Sequence, residues 1–150
     1  MAPSVVRVAS RGTVKLASSN PADPPLNAVN LMARDADINA MIAGIDLRRE
    51  LGASDAFKDL HKSEVMPGNL SRSDMVKLVR QSTTTYCHPT RTCKMGIDDE
   101  SVVAPELRVY GIENIRIADA SIMPNVTSGN TNAPSVMIGE KSAELLQQAR

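Results

Sequence analysis

Three short stretches hold the residue types from which a reaction could be built. The first, Thr84-Thr85-Tyr86-Cys87-His88-Pro89-Thr90-Arg91-Thr92-Cys93-Lys94-Met95-Gly96, contains one of the chain's two histidines. An imidazole titrates near neutrality, and Pro89 biases His88 toward extended backbone on a polar loop, from which the ring can be aimed at a hydroxyl as a general base. The plainer reading is a hydrogen-bonded surface histidine, and residue type alone favours it. The second stretch, Ile115-Arg116-Ile117-Ala118-Asp119-Ala120-Ser121-Ile122-Met123-Pro124, is an apolar strand that ends in Asp119 and Ser121. A carboxylate and backbone amides at a strand end can meet a sugar hydroxyl or phosphate; a turn in which Asp119 caps nearby N–H groups explains the same residues. The third, Asn125-Val126-Thr127-Ser128-Gly129-Asn130-Thr131-Asn132-Ala133-Pro134, runs straight into the last helix. Unpaired N–H donors and partial positive charge at a helix start stabilise an anion or an electron-rich ring edge. A capped helix behind a polar loop is the simpler alternative.

The elements that must hold these stretches follow from periodicity. Ile38, Met41, Ile42, Ile45 and Leu51 recur at steps of about 3.6 behind an acidic start at Asp35 or Asp37, with Arg48, Arg49 and Gly52 at the far end, which predicts an amphipathic helix. Ser71 or Ser73 caps a second helix through Met75, Val76, Leu78 and Val79 that stops before Thr83-Thr84-Thr85. A third opens at Asn132-Ala133-Pro134, with Asn132 as N-cap, and runs through Val136, Met137, Ile138, Ala143, Leu145 and Leu146. The β-branched segment Val5 to Leu16, interrupted by Gly12, predicts two short strands about a turn, followed by a proline-rich loop at Ser18 to Pro25. Leu107 to Tyr110 and Asn114 to Ala118 alternate with period two across Gly111 and predict a hairpin or tight strand pair. This order of strands and helices implies an α+β fold, an antiparallel or mixed sheet with flanking helices.

Composition narrows the function classes. The chain has 150 residues, 42% hydrophobic and 23% charged, one domain's worth of ordinary globular sequence over 1–150. Lys+Arg and Asp+Glu are both 17, and Tyr, Phe and Trp number 2, 1 and 0, so neither a basic footprint nor a stacking platform for nucleic acid is present. No apolar run reaches the ~20 residues of a membrane span and no signal-peptide pattern opens the chain, so a cytoplasmic location is expected. Cys87 and Cys93 lack zinc-site spacing, which argues against a structural metal; six residues apart on a polar segment they could form a disulfide, but free thiols are the expectation for an intracellular chain. His61 has no motif around it and reads as a solvated surface residue.

Taken together in order and spacing, the three stretches resemble the C-terminal signature of the glucose-methanol-choline family of FAD-dependent oxidoreductases. That signature runs His-Pro-x-Gly-Thr-Cys-x-Met-Gly, an Arg-Val-x-Asp-Ala-Ser-x-x-Pro strand end, and an Asn- or His-containing loop leading into an x-Gly-Glu-Lys-x-Ala-Asp-Leu helix. Here these are His88 to Gly96, Arg116 to Pro124, and Asn130 followed by Ile138-Gly139-Glu140-Lys141-Ser142-Ala143-Glu144-Leu145. Ser10 to Leu16 and Asn20-Pro21 also look like the start of that family's substrate-binding domain. The resemblance spans about residue 8 to about residue 146, and several motifs in register are far more specific than any one of them.

The resemblance implies a substrate-side domain with a last helix that returns to an FAD domain, acting in alcohol oxidation by proton abstraction and hydride transfer to flavin N5. By position His88 matches the catalytic histidine and Asn130 the second residue on the substrate oxygen. Asp119 and Ala120 match cofactor contacts, and Asn132 and Ala133 would face the flavin's pyrimidine edge. Two departures stand out. The signature's Gly is Arg91 here, where a side chain could distort the loop if φ > 0 is required. None of the eight glycines forms Gly-x-Gly-x-x-Gly, so the phosphate-binding fingerprint of the N-terminal half is missing, and tight FAD binding is expected to need that half, whether this chain is a fragment, a truncated product or one piece of a split enzyme. A small-molecule alcohol is the expected substrate. The alternative is a non-catalytic remnant or interaction module that keeps the α+β fold.

Overall fold

The structure, a computed structural model, describes residues 2–149. The chain divides into two compact units, Met1–Thr85 and Tyr86–Arg150.

The first unit is built on a helix pair. Helix α1 spans Asp35–Gly52 and α2 spans Arg72–Ser82. Ile38, Ile42 and Ile45 lie four and three residues apart, so they share one face of α1, which buries against Met75 and Val79 of α2 and against Met32. Ser71 caps α2 as expected: its Oγ accepts the Asp74 N–H at 3.2 Å and donates to the Asp74 carboxylate at 2.7 Å. Strand β1, Thr13–Lys15, pairs antiparallel with β2, Leu26–Ala28, in the register Thr13 with Ala28 and Lys15 with Leu26. The expected strand pair about Gly12 is therefore corrected, because the partner lies beyond the proline-rich loop. Gly12 is not the turn. It lies where the chain crosses residues 28 and 29, and a Cβ there would sit 2.2 Å from the Ala28 carbonyl oxygen.

The N-terminal segment is tied to α1 through Asp37, which is 3% exposed. Its carboxylate accepts the Ala9 and Ser10 N–H groups at 2.7 Å each and the Ser10 hydroxyl, while Ser10 Oγ accepts the Arg34 N–H at 3.1 Å. Burial pushes the Asp37 pKa up, but these hydrogen bonds and the nearby Arg11 charge outweigh it and hold the pKa below the ordinary carboxylate value. Asp37 also sits in the first turn of α1, where a negative charge meets the helix dipole favourably.

The second unit has one long helix, α3, Asn132–Gln148, and little regular sheet. Val103, Leu107, Ile122, Met123 and Ile138 form its core, with Met95, Val109, Ile117 and Leu145 packed around them. Of the expected hairpin or tight strand pair, the structure shows the tight pair: Val109 N–H donates to Ile115 O and Ile117 N–H to Leu107 O, both at 3.1 Å, around an Arg108–Arg116 bridge. Pairing stops there because Tyr110 N–H donates instead to Val102 O at 3.0 Å, so the segment shares its bonds between two neighbours. Together the helices and short antiparallel pairs make an α+β fold. Among the described residues no helix is long and apolar enough to cross a membrane.

Candidate functional site

All the residues singled out for chemistry lie in the second unit. His88 sits half-buried on the loop after α2, following Cys87 at φ 60°. Its Nδ1 lies 3.0 Å from Thr131 Oγ1, a contact between residues 43 apart in sequence. The Tyr86 ring stands 6.2 Å from the His88 ring at a 35° tilt. Thr131 joins Asn130 to Asn132, so this one bond brings the histidine loop against the loop that carries Asn130 and the start of α3.

A second set of bonds attaches the Asp119 segment to the same loop. Cys93 N–H donates to Ser121 O at 3.1 Å and Met95 N–H to Ile122 O at 2.8 Å. Ile122 and Met123 are anchored in the core with Ile138 of α3, which fixes this segment against the helix. Asp119 itself is exposed, and one carboxylate oxygen accepts the Ser121 N–H at 2.7 Å, capping a short 3-10 turn over Ala120–Ile122. The local-cap reading of Asp119 is thus realised, and it leaves the side chain facing solvent beside the loop. Cys87 and Cys93 are not joined in a disulfide.

Arg91 stands where the resemblance expects Gly, and its φ of 75° shows why: the loop needs left-handed backbone there. With Arg91 in place the loop keeps its backbone bonds to Ser121 and Ile122. The Arg91 guanidinium donates to the Pro124 carbonyl at 2.6 Å and pairs with Glu100 at 3.2 Å, which adds a strut between the histidine loop and the end of the Asp119 segment. Lys94, with only 12% of its side chain exposed, contacts Asp98 at 2.6 Å and Glu100 at 3.7 Å. The Lys94 ammonium, then the Ser101 hydroxyl, hold the Asp98 carboxyl below its usual range. These ion pairs brace the loop and reach no site residue.

Asn130, Asn132 and Ala133 are exposed, and Thr131 between them is buried. The expected N-cap is corrected by one residue. Thr131 occupies it and Asn132 is the first helical residue, because the Ser135 N–H and hydroxyl both bond to the Thr131 carbonyl, at 3.0 and 2.6 Å, and close the first turn on it. The Thr131 side chain makes no cap bond. The start of a 17-residue helix therefore presents N–H groups at Asn132 and Ala133 without a side-chain cap, beside His88. Pro134 has no N–H to offer, so it does no harm in that turn. Thr131 and Arg91 are the residues that sequence reasoning left without a role. Among the described residues no group of three or more His, Cys, Asp or Glu could hold a metal ion.

The family profile of the GMC oxidoreductases matches residues 8–139. The chain is 45% identical over 139 residues to an alcohol dehydrogenase (acceptor) of Pseudomonas putida, covering 91% of this chain and 25% of that protein. It is 40% identical over 146 residues to a mitochondrial choline dehydrogenase of Homo sapiens, covering 95% of this chain and 25% of the relative. Among solved structures, pyridoxine 4-oxidase from Mesorbium loti superposes with a TM-score of 0.90 at 28% identity, over 95% of this chain and 28% of that one. Formate oxidase from Aspergillus oryzae RIB40 gives a TM-score of 0.87 at 33% identity, over 95% and 26%. The chain spans about a quarter of the length of the relatives it matches.

Proposed function

The chain belongs to the GMC oxidoreductase family, and on that footing we propose that it is the substrate-side part of an FAD-dependent enzyme that oxidises alcohols, with His88 and Asn130 acting on the hydroxyl. The observation that carries this reading is the 3.0 Å contact between Thr131 Oγ1 and His88 Nδ1, which seats a half-buried imidazole next to Asn130 and the start of α3. A general base must be aimed as well as titratable, and this one is held by its inner nitrogen.

The residues present fit FAD. Uncapped N–H groups at Asn132 and Ala133, backed by the α3 dipole, suit an electron-rich ring edge, and Asp119 and Ala120 lie on the neighbouring segment with polar groups exposed. FAD, when bound, supplies the acceptor for the hydride leaving the carbinol carbon. The remaining work falls to this chain. His88 takes the hydroxyl proton, and the Asn130 amide donates to the same oxygen, where negative charge grows as the proton leaves.

Since the chain covers about a quarter of its relatives' length, we assign tight FAD binding to a further FAD-binding portion, and the chain alone is expected to purify without stoichiometric flavin. The test combines the chain with the FAD-binding portion of the Pseudomonas putida relative and follows flavin absorbance as alcohols are added. Bleaching by an alcohol is expected, slowed roughly 10²–10⁴-fold by His88→Ala. A flavin-loaded assembly that no alcohol bleaches, or one that His88→Ala leaves unaffected, overturns the reading.

A further inference from the structure

Thr131 is doing something other than what its position predicts. A threonine at a helix N-cap ordinarily accepts an N–H of the first turn, a bond worth about 1 kcal/mol. Here the cap bond is not made, and the hydroxyl is turned to His88 Nδ1 instead. Thr131 is 8% exposed, so the contact is largely shielded from water. The rest of the residue is fixed by Ser135, whose N–H and hydroxyl both bond to its carbonyl, and by α3, which is anchored through Ile138 in the core. The oxygen that meets the ring is therefore held by the helix.

We propose that Thr131 is a positioning residue that accepts the Nδ1–H of neutral His88 and so keeps Nε2 as the bare nitrogen that receives the substrate proton. This rests on the reading of His88 as the base. Only the unprotonated nitrogen of an imidazole can take a proton, and a neutral ring in water favours the proton on Nε2. With Nδ1 turned to the protein, that tautomer would present a donor where the reaction needs an acceptor. An oxygen at Nδ1 reverses the preference by rewarding Nδ1–H. Once Nε2 is protonated the ring is a cation, and the same Nδ1–H···O bond becomes charge-assisted and stronger, so it favours the state after proton transfer over the state before it. A hydroxyl achieves this without placing a carboxylate charge near the oxygen on which negative charge develops. The opposite arrangement, with the Thr131 O–H donating into Nδ1, would place the proton on Nε2 and make His88 a donor only.

Long-range ¹H–¹⁵N spectra of the 150-residue chain separate these arrangements. They are recorded at about pH 8.5, above the usual imidazole range. Only two histidines contribute, and exposed His61 supplies the solvent reference within the same spectrum. His88 is expected to show the Nδ1–H pattern and His61 the Nε2–H pattern. Thr131→Ser should keep the His88 pattern, and Thr131→Val, which preserves shape and removes the hydroxyl, should convert it to that of His61. An Nε2–H pattern for His88 in the unmodified chain overturns the proposal however the variants fold. So does an unchanged Nδ1–H pattern in folded Thr131→Val. In the flavin-loaded assembly, Thr131→Val should slow bleaching roughly tenfold or more, with Thr131→Ser restoring it. Failure of the base assignment would show separately, as His88→Ala without effect while the tautomer still follows Thr131.

Discussion

The helix pair of the first unit and the loops of the second solve different problems. In the first, Ile38, Ile42 and Ile45 repeat with the helical period and meet Met75 and Val79, so regular backbone and regular burial coincide. In the second, the groups that matter sit on irregular chain: Cys87 and Arg91 flank His88 with φ of 60° and 75°, and the segments around them are joined by single bridges and a few backbone bonds. The core that backs them, Val103 to Ile138, lies beneath and is contributed by loops as much as by α3. Periodicity builds a scaffold cheaply, whereas aiming one imidazole requires backbone conformations that no repeat supplies. The two units should accordingly respond to mutation in different ways, and residue-resolved hydrogen exchange can follow each without assuming a single unfolding transition.

The largest effect is expected in the helix pair. Ile42 is 4% exposed at the centre of that cluster, and Ile42→Ala should remove about 3–4 kcal/mol from the protection of α1 and α2. Amides of residues 102–123 and α3 should keep their protection. Equal loss in both units would mean that they fold as one, and the contrast drawn above would fail.

Asp37→Ala comes next, at about 3 kcal/mol, because it removes the acceptor of the buried Ser10 N–H and hydroxyl and of the part-buried Ala9 N–H. The network also carries a pH signature. Since the folded pKa of Asp37 lies below its ordinary 3.8, the folded unit binds the proton less tightly than the unfolded chain. Its stabilisation is fully present above the unfolded value and is lost as pH falls through the folded one. Acid titration of the first unit should show this loss in the native chain and a flatter response in Asp37→Asn; parallel curves would remove Asp37 from the account.

How much of this was legible in the sequence depends on whether the cause was local. All three helices could be read from apolar spacing, and a serine cap before α2 at Ser71 or Ser73, of which the structure uses Ser71. Strand β2 could not be read, because its pairing with β1 spans a proline-rich loop that carries no sign of the return. Gly12 reads as a turn for want of knowing that residues 28 and 29 cross beside it. At the site, residue types favoured a plain surface histidine and a plain helix cap, and only the family pattern singled out His88 and Asn130. Thr131 was hidden because Asn132 beside it reads as the cap, and because its partner lies 43 residues away.

A smaller effect should follow from Ser71→Ala, which deletes one helix cap and should cost α2 about 1 kcal/mol. The Ser71 hydroxyl, ahead of Lys77, also holds the Asp74 pKa below its ordinary value, so the variant should move the Asp74 titration, followed by carboxyl NMR, upward. An unmoved titration would assign the depression to Lys77 instead.

The smallest net change should come from Arg91→Gly, because two opposing contributions nearly cancel. Glycine relieves a non-glycine residue held at φ 75°, a gain of about 1 kcal/mol, offset in part by the extra freedom glycine gives the unfolded chain. Losing the guanidinium removes the 2.6 Å bond to the Pro124 carbonyl, a loss also near 1 kcal/mol. The pair with Glu100 adds little, being exposed and screened by salt. Global stability should therefore move by less than about 1 kcal/mol in either direction. What should change is local: without the strut, amide exchange at residues 90–96 and 119–124 should quicken while α1 and α2 stay as they are. Loss of more than about 2 kcal/mol would make Arg91 a structural keystone rather than a brace, and unchanged exchange in the loop would mean that the Cys93–Ser121 and Met95–Ile122 backbone bonds hold it unaided.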